Sequence, residues 1–197
     1  ENNLVRGKSV LELGAGMGNH TILLLRQGAR SLVATEISAE RLETTRRNVE
    51  RNMVAPWPEA DIEYRAADWL STPGRFDVLV TNPPFMACGM QNRRYFIDSL
   101  ILDAHKSLNP GGTLVFVQSS MADTAKSTRR LEENGYAVRT LATSRGPFRD
   151  YYFEDPAFMQ EIQTVPDGCE IEDGVHIETL TVLAAELQPY SPPEIAH

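Results

Sequence analysis

In "VLELGAGMGNHT", residues 10–21, an apolar run is followed directly by three closely spaced glycines. The apolar run predicts a buried strand, and a helical pattern begins near Asn19. Glycines between the two elements allow a tight turn and let the backbone approach a ligand closely. Many α/β proteins use such a turn for packing alone. The stretch therefore predicts an α/β architecture but does not by itself predict a function.

Strand-type and helix-type segments alternate along the rest of the chain. The predicted strands are residues 8–14, 31–37, 61–69, 75–82, 113–120, 136–143 and 175–187. The predicted helices are residues 19–29, 39–53 with Ser38 as N-cap, 93–108 and 122–135. This alternation predicts right-handed βαβ units in a mainly parallel sheet, which is an α/β, doubly wound, Rossmann-like fold.

The length of 197 residues fits one domain, which we expect over residues 1–187. The sequence "NPGG" at residues 109–112 predicts a helix stop and a turn before the fifth strand. Residues 145–175 are too long for a hairpin loop, so we expect an insert on the substrate side. The proline-rich residues 188–197 predict a flexible tail.

Composition and charge exclude several classes of function. The net charge of −8 has the wrong sign for a protein that depends on attraction to a phosphate backbone, although a local basic patch or a partner subunit could supply that charge. Apolar runs are too short for a membrane span. Cys88 and Cys169 form no CxxC pair and the histidines are scattered, so we expect no metal site, no disulfide framework and a cytoplasmic setting.

An acidic residue follows the glycine turn at the sequence distance that is typical of nucleotide-binding folds. Glu36 ends the second predicted strand 20 residues beyond Gly16, where an acid accepts hydrogen bonds from ribose hydroxyls in doubly wound folds. Gly14, Gly16 and Gly18 give the spacing GxGxG rather than the GxGxxG of dinucleotide-binding proteins. The spacing therefore disfavours a nicotinamide-dependent dehydrogenase, which is the obvious competitor.

The fourth predicted strand ends in a second motif, "NPPF", at residues 82–85. Two consecutive prolines cannot donate to a sheet ladder, so the strand must stop there. The Asn82 side-chain oxygen and the Pro83 carbonyl can each accept one N–H of an NH2 group, while Phe85 can stack on the planar group. The alternative is a turn that only terminates the strand.

The two motifs together resemble those of class I S-adenosylmethionine-dependent methyltransferases that modify planar nitrogens, namely glutamine amide, adenine N6 and guanine N2. The resemblance implies seven mostly parallel strands in the order 3-2-1-4-5-7-6, with strand 7 antiparallel and helices on both faces. It implies S-adenosyl-L-methionine as cofactor and S-adenosyl-L-homocysteine as product. The cofactor-binding residues that it implies are Glu12, Gly14, Ala15, Gly16, Gly18, Glu36, Ile37, Asp68, Trp69 and Asn82. The catalytic residues are Asn82, Pro83, Pro84 and Phe85.

Two of these assignments have a structural alternative, since Glu12 could be an ordinary acid at a strand end and Trp69 could belong to the core. Substrate recognition is expected from outside the sheet, where arginines and aromatics are interleaved. The predicted substrate-binding residues are Phe85, Arg93, Arg94, Arg145, Phe148, Tyr151 and Tyr152. Acidic residues within the same insert would repel a phosphate backbone, and an aromatic flap that only packs over the sheet is the alternative.

The function that these patterns predict is N-methylation of an amide or aryl amine nitrogen in a protein side chain or a small molecule. An RNA or DNA base methyltransferase and a catalytically silent cofactor-binding subunit stay as alternatives, because "NPPFMACGM" matches no subgroup cleanly. Bacterial enzymes of the HemK type carry an N-terminal helical domain, whereas the first predicted strand here begins within ten residues of Glu1. Three explanations stand: a domain missing from this sequence, a short branch with a small partner subunit, or a small-molecule acceptor. A homodimer is the other expected assembly.

Overall fold

A computed structural model describes residues 3–53, 60–84 and 94–189 of the chain. The strands are β1 (Ser9–Leu13), β2 (Ser31–Glu36), β3 (Asp61–Ala66), β4 (Phe76–Thr81), β5 (Leu108–Ser119), β6 (Tyr136–Pro147), β7 (Glu170–Glu172) and β8 (Val175–Leu187). The helices are α1 (Asn19–Arg26), α2 (Ala39–Asn52), α3 (Tyr95–Asp103), α4 (Thr124–Glu133) and α5 (Pro156–Ile162). None of these helices combines the length and the apolar character that crossing a membrane requires.

All eight strands belong to one mixed sheet in the order β3-β2-β1-β4-β5-β8-β6, with β7 paired to β8. The first five strands pair in parallel, and β8 runs antiparallel between β5 and β6. The predicted order is thereby confirmed, because the predicted seventh strand is β8. The short strand β7 is an addition that the sequence pattern did not reveal.

Helices cover both faces of the sheet, as expected for a doubly wound fold. Successive strand residues point to opposite faces, so the neighbours Val10 and Leu11 enter different cores. Val10 packs in the core that includes Leu25 of α1, whereas Leu11 packs in the core that includes Leu100 of α3. This arrangement leaves the carboxyl ends of the parallel strands free to carry a site.

The turn predicted at residues 109–112 is instead part of β5. Phe76 pairs with Leu108, but Val78 two residues later pairs with Thr113. Three extra residues on β5 are therefore accommodated as an irregularity in the pairing rather than as a loop before the strand. The positive φ of a glycine within this segment provides the local change of direction.

Residues 145–175 are folded onto the end of the sheet. β6 continues to Pro147, and α5 and β7 follow within the segment. The side chains that bury one another there are Met121, Phe148, Tyr152, Phe158 and Ile162. The segment thus has a small apolar core of its own, which joins it to the turn after β5.

Gly18, at the start of α1, lies where the glycine turn approaches α2 most closely. Its φ is +85°, and a Cβ atom at this position would lie 3.2 Å from the Thr45 carbonyl oxygen and 3.3 Å from Thr45 Cγ2. A side chain would therefore be strained by the backbone conformation and crowded by α2.

We expect Gly18→Ala to lower the free energy of unfolding by about 2–3 kcal/mol, because a left-handed conformation costs about 1–2 kcal/mol for an L-residue and the contact with α2 adds to it. Gly135→Ala is the matched control, since Gly135 has a φ of +83° and open space around it. Its cost should be about 1 kcal/mol. Chemical denaturation measures both, and equal losses would contradict the crowding against α2.

Candidate active site

The strands β1 and β4 end side by side, and a hydrogen bond fixes their ends together. Leu13 and Thr81 are paired in the parallel register, and the Thr81 hydroxyl donates to the Leu13 carbonyl at 3.0 Å. The next residues, Gly14 and Asn82, therefore leave the sheet next to each other. Ligands of doubly wound proteins bind at this kind of crevice, outside the carboxyl ends of the strands.

The glycine turn is held from β2 and α2. The N–H of Ala15 donates to the Thr35 carbonyl at 2.8 Å, and the N–H of Gly16 donates to Glu36 Oε2 at 3.1 Å. From α2, the Thr45 hydroxyl donates to the Gly16 carbonyl at 2.7 Å. These bonds fix the backbone of the turn and the carboxylate of Glu36 in one arrangement.

A cavity of about 310 Å³, here called the cofactor cavity, lies at the ends of β1, β2, β3 and β4. Its wall includes six of the predicted cofactor-binding residues: Gly14, Glu36, Ile37, Asp68, Trp69 and Asn82. The carboxylates are acceptors suited to ribose hydroxyls and to an adenine amino group, and the aromatic and aliphatic groups suit the base. The donor and acceptor set of this cavity therefore fits the nucleoside part of S-adenosylmethionine.

Trp69 is held in this wall by contacts from α3. Its φ is +40°, an unusual conformation for a bulky residue. The indole N–H donates to Ser99 Oγ at 2.7 Å, and the ring makes an edge contact with Phe96 at 4.7 Å between centroids. Phe96 also lines the cofactor cavity. A strained backbone conformation persists only where surrounding contacts hold it. The contacts with Ser99 and Phe96 hold Trp69 in this way at the edge of the cofactor cavity.

Glu12 is a buried acid two residues before Gly14, with 1% of its surface exposed. The Thr21 hydroxyl donates to Oε2 at 2.6 Å, while Oε1 has no hydrogen-bond partner among the described residues. Burial raises the pKa of this carboxyl from 4.5 to about 7, although the hydrogen bond from Thr21 works in the opposite direction. A buried carboxyl with one free oxygen is suited to a cationic or N–H-bearing neighbour.

Residues 82–84, which follow β4, are here called the corner after β4. A second cavity of about 320 Å³, here called the acceptor cavity, lies on the other side of this corner. Asn82 and Pro84 line both cavities, and Pro83 lines the acceptor cavity. The far walls come from β5, from β8 and from the segment after β6. They contribute Gln118, Ser119, Glu178, Leu180, Arg149, Tyr151 and Tyr152.

Of the predicted substrate-binding residues, Tyr151 and Tyr152 line the acceptor cavity. Three others lie elsewhere. Arg94 bonds Asp98 and Ser127 and so joins α3 to α4. Arg145 pairs with two glutamates of β7, and Phe148 is buried in the apolar core of the segment after β6. Phe85 and Arg93 lie outside the described residues, so their roles stay predictions.

Sequence reasoning missed Glu178, Gln118 and Phe96. Glu178 is an acid inside the apolar alternation of β8, and it is 6% exposed. A charge within such a pattern is a usable signal, because it is rarely buried without a purpose. Gln118 lies at the carboxyl end of β5, the strand that pairs with β4, which is a positional signal of the same kind. Phe96 had no signal, because one aromatic in an apolar helix is usually core.

The raised pKa of Glu12 predicts a dependence of stability on pH. The folded state binds this proton more tightly than the unfolded state, so Glu12 destabilises the fold increasingly as the pH rises from about 4.5 to about 7. Glu12→Gln removes the titration and keeps an acceptor for Thr21. Between pH 5 and pH 8 the variant should gain about 2–3 kcal/mol of unfolding free energy relative to the parent. A difference that stays constant across this range of denaturation experiments would refute the assignment.

Comparison with known proteins gives the family. The family model for the methyltransferase small domain matches residues 1–146, which include the glycine turn and the corner after β4. A relative from Methanocaldococcus jannaschii, named as a candidate protein N5-glutamine methyltransferase, is 25% identical over 162 residues, covering 74% of this chain and 79% of that protein.

Two further proteins act on ribosomal RNA by name. The ribosomal RNA small subunit methyltransferase C of Haemophilus influenzae is 32% identical over 120 residues, covering 60% of this chain and 34% of that protein. A 16S rRNA N2-guanine methyltransferase of T. thermophilus, solved with AdoMet and guanosine, superposes with a TM-score of 0.55 and 25% identity, covering 93% of this chain and 38% of that one. The chain thus spans about a third of the length of each of these two proteins. It belongs to the methyltransferase small domain family and is an S-adenosylmethionine-dependent methyltransferase.

Proposed function

We propose that this enzyme methylates the planar nitrogen of a protein side-chain amide, with glutamine as the acceptor residue. The observation that carries the proposal is the position of Asn82 and Pro84, which form a wall common to the cofactor cavity and the acceptor cavity. A methyl donor in one cavity and an acceptor nitrogen in the other would meet at this wall.

The chemistry of the corner suits a poor nucleophile. The lone pair of an amide nitrogen is delocalised, so the nitrogen must be held and polarised before it attacks. The Asn82 side-chain oxygen and the Pro83 carbonyl accept its two N–H groups, direct the lone pair toward the cofactor cavity and stabilise positive charge that develops on nitrogen. S-adenosylmethionine would supply an electrophilic methyl group on a sulfonium: the N–CH3 bond would form as the S–CH3 bond breaks, S-adenosylhomocysteine would leave, and the nitrogen would release one proton to water. Pro84 restricts the backbone, so the acceptors keep their positions.

A protein acceptor is favoured by charge. The chain carries a net charge of −8, and the buried carboxylate of Glu178 lines the acceptor cavity. The net charge repels a phosphate backbone, and Glu178 offsets the positive charge of Arg149, which lines the same cavity. The relative from Methanocaldococcus jannaschii, which this chain covers over most of its length, carries a name that refers to glutamine. We expect the partner protein to share the cytoplasmic setting that the two widely separated cysteines predict for this chain.

Guanine N2 is the second candidate, and a specific observation favours it. The ring of Tyr151 is 45% exposed at the acceptor cavity, and Arg149 donates to its hydroxyl at 3.2 Å. An exposed aromatic beside a guanidinium is a suitable platform for a base. The T. thermophilus enzyme, whose name refers to N2 of a guanine in 16S rRNA, supports this candidate.

Asn82→Ala tests the proposed role of the corner. We expect methyl transfer from labelled S-adenosylmethionine to the protein fraction of a cell extract to fall about 100-fold or more, because one preorganised acceptor is lost. Calorimetric affinity for the cofactor should fall far less than the transfer rate, because Asn82 is one of several residues that line the cofactor cavity. Asn82→Asp, which keeps an oxygen acceptor, should retain more activity than the alanine variant. Asn134→Ala, at the end of α4, is the distant control; parental transfer rates in Asn82→Ala would exclude the role.

Glu36→Gln tests the cofactor cavity independently. We expect the affinity for S-adenosylhomocysteine to weaken by about 1–3 kcal/mol, since a charged acceptor is lost from a buried position while the bond from Gly16 can still form. Glu40→Gln removes the same charge from an exposed position in the first turn of α2. Titration calorimetry should give a weaker affinity for Glu36→Gln than for Glu40→Gln. Identical affinities would mean that another residue makes the ribose contact.

A further inference from the structure

The acceptor cavity has more hydrogen-bond acceptors than a primary amide can use. The NH2 group of a glutamine side chain has two N–H donors, and the corner after β4 provides two acceptors for them, the Asn82 side-chain oxygen and the Pro83 carbonyl. Gln118 and Glu178 provide further acceptors on the opposite wall. A ligand that satisfies this cavity therefore brings at least one more N–H group.

Gln118 has a buried amide whose two ends differ. The residue is 2% exposed, and its Nε2 donates to the Ala122 carbonyl at 3.0 Å. Its Oε1 is buried without a hydrogen-bond partner among the described residues. Because the bond to Ala122 fixes which end is the nitrogen, the oxygen is the end that lacks a donor. A buried acceptor without a donor costs free energy, which a bound N–H would recover.

The Glu178 carboxylate accepts one hydrogen bond, and the Arg149 guanidinium, which lines the same cavity, interacts with it electrostatically. The Ser119 hydroxyl donates to its Oε2 at 2.6 Å, and this is the hydrogen bond that the described residues give to the side chain. The residue is 6% exposed, so water reaches little of it. A carboxylate held in this way binds an N–H donor more strongly than a neutral acceptor does.

From these groups we infer that Glu178 and Gln118 form a second subsite, which binds a backbone N–H of the peptide that carries the target glutamine. The inference rests on the proposed function and adds a specificity determinant to it. Glu178 is a binding residue here and takes no part in the transfer of the methyl group.

The spacing of the strands favours a peptide over a base. β5 lies between β4 and β8, so Asn82 and Glu178 belong to positions two strand spacings apart, roughly 10 Å between backbones. A base such as guanine carries its N–H groups on adjacent atoms of one ring edge. A glutamine residue carries its side-chain amide several bonds away from its backbone N–H, which suits two separated sets of acceptors.

The experiment uses a short peptide with one glutamine between small residues, and the same peptide with an ester in place of the glutamine N–H. Calorimetry on the full chain loaded with S-adenosylhomocysteine measures binding without methyl transfer. For the parent peptide, Glu178→Gln should weaken binding about tenfold or more. The ester should weaken binding to the parent protein by a similar factor and binding to Glu178→Gln by clearly less, because the two changes remove one interaction. Glu186→Gln, on the same strand but exposed, is the charge-matched control.

Methyl transfer to the same peptide distinguishes a failure of the subsite from a failure of the proposed function. One possible result is that Asn82→Ala abolishes methyl transfer while Glu178→Gln keeps the parental KM. This result would overturn the subsite and leave the proposed function standing. An ester penalty of equal size in both proteins would do the same. A peptide that neither binds nor accepts the methyl group, alongside methylation of guanosine, would overturn both the subsite and the glutamine proposal.

Discussion

The site depends on one constraint, the parallel pairing of β1 with β4 and the hydrogen bond from the Thr81 hydroxyl to the Leu13 carbonyl at 3.0 Å. These strands are far apart in sequence, yet the pairing makes Gly14 and Asn82 neighbours. Without this pairing, the glycine turn and the corner after β4 would not lie next to each other. With it, a loop that suits a nucleoside and a loop that suits a planar nitrogen share one edge of the sheet.

The two sides of this edge are built from different parts of the fold. The cofactor side uses parallel strands and a turn whose backbone is held by hydrogen bonds to the Thr35 carbonyl and to the side chains of Glu36 and Thr45. The acceptor side uses the antiparallel strand β8 and the folded segment after β6. The apolar core of that segment includes Phe148 and Tyr152, and Tyr152 also lines the cavity, so this core holds the far wall in place. The cofactor cavity and the acceptor cavity are therefore built from separate parts of one domain.

Much of the fold could be predicted from the sequence, because hydrophobic periodicity and glycine turns are local signals. The sheet order followed from the resemblance to a family, and β8 begins and ends where its pattern predicts. What could not be predicted depends on long-range pairing. The antiparallel insertion of β8 brings Glu178 to Ser119, 59 residues away, and no local pattern shows that contact. Arg94 and Arg145 were attractive as ligand-binding cations, yet α4 and β7 supply partners that only the folded chain reveals.

The central claim is that the corner after β4 presents acceptors to a planar nitrogen. The most direct measurement is to incubate the protein with methyl-labelled S-adenosylmethionine and a cell extract, and then to locate the labelled atom by mass spectrometry of the digested fractions. The account predicts label on the side-chain amide nitrogen of glutamine in a protein. Label on an oxygen, sulfur or carbon atom would contradict it, because two N–H acceptors at Asn82 and Pro83 would then have no role in the reaction.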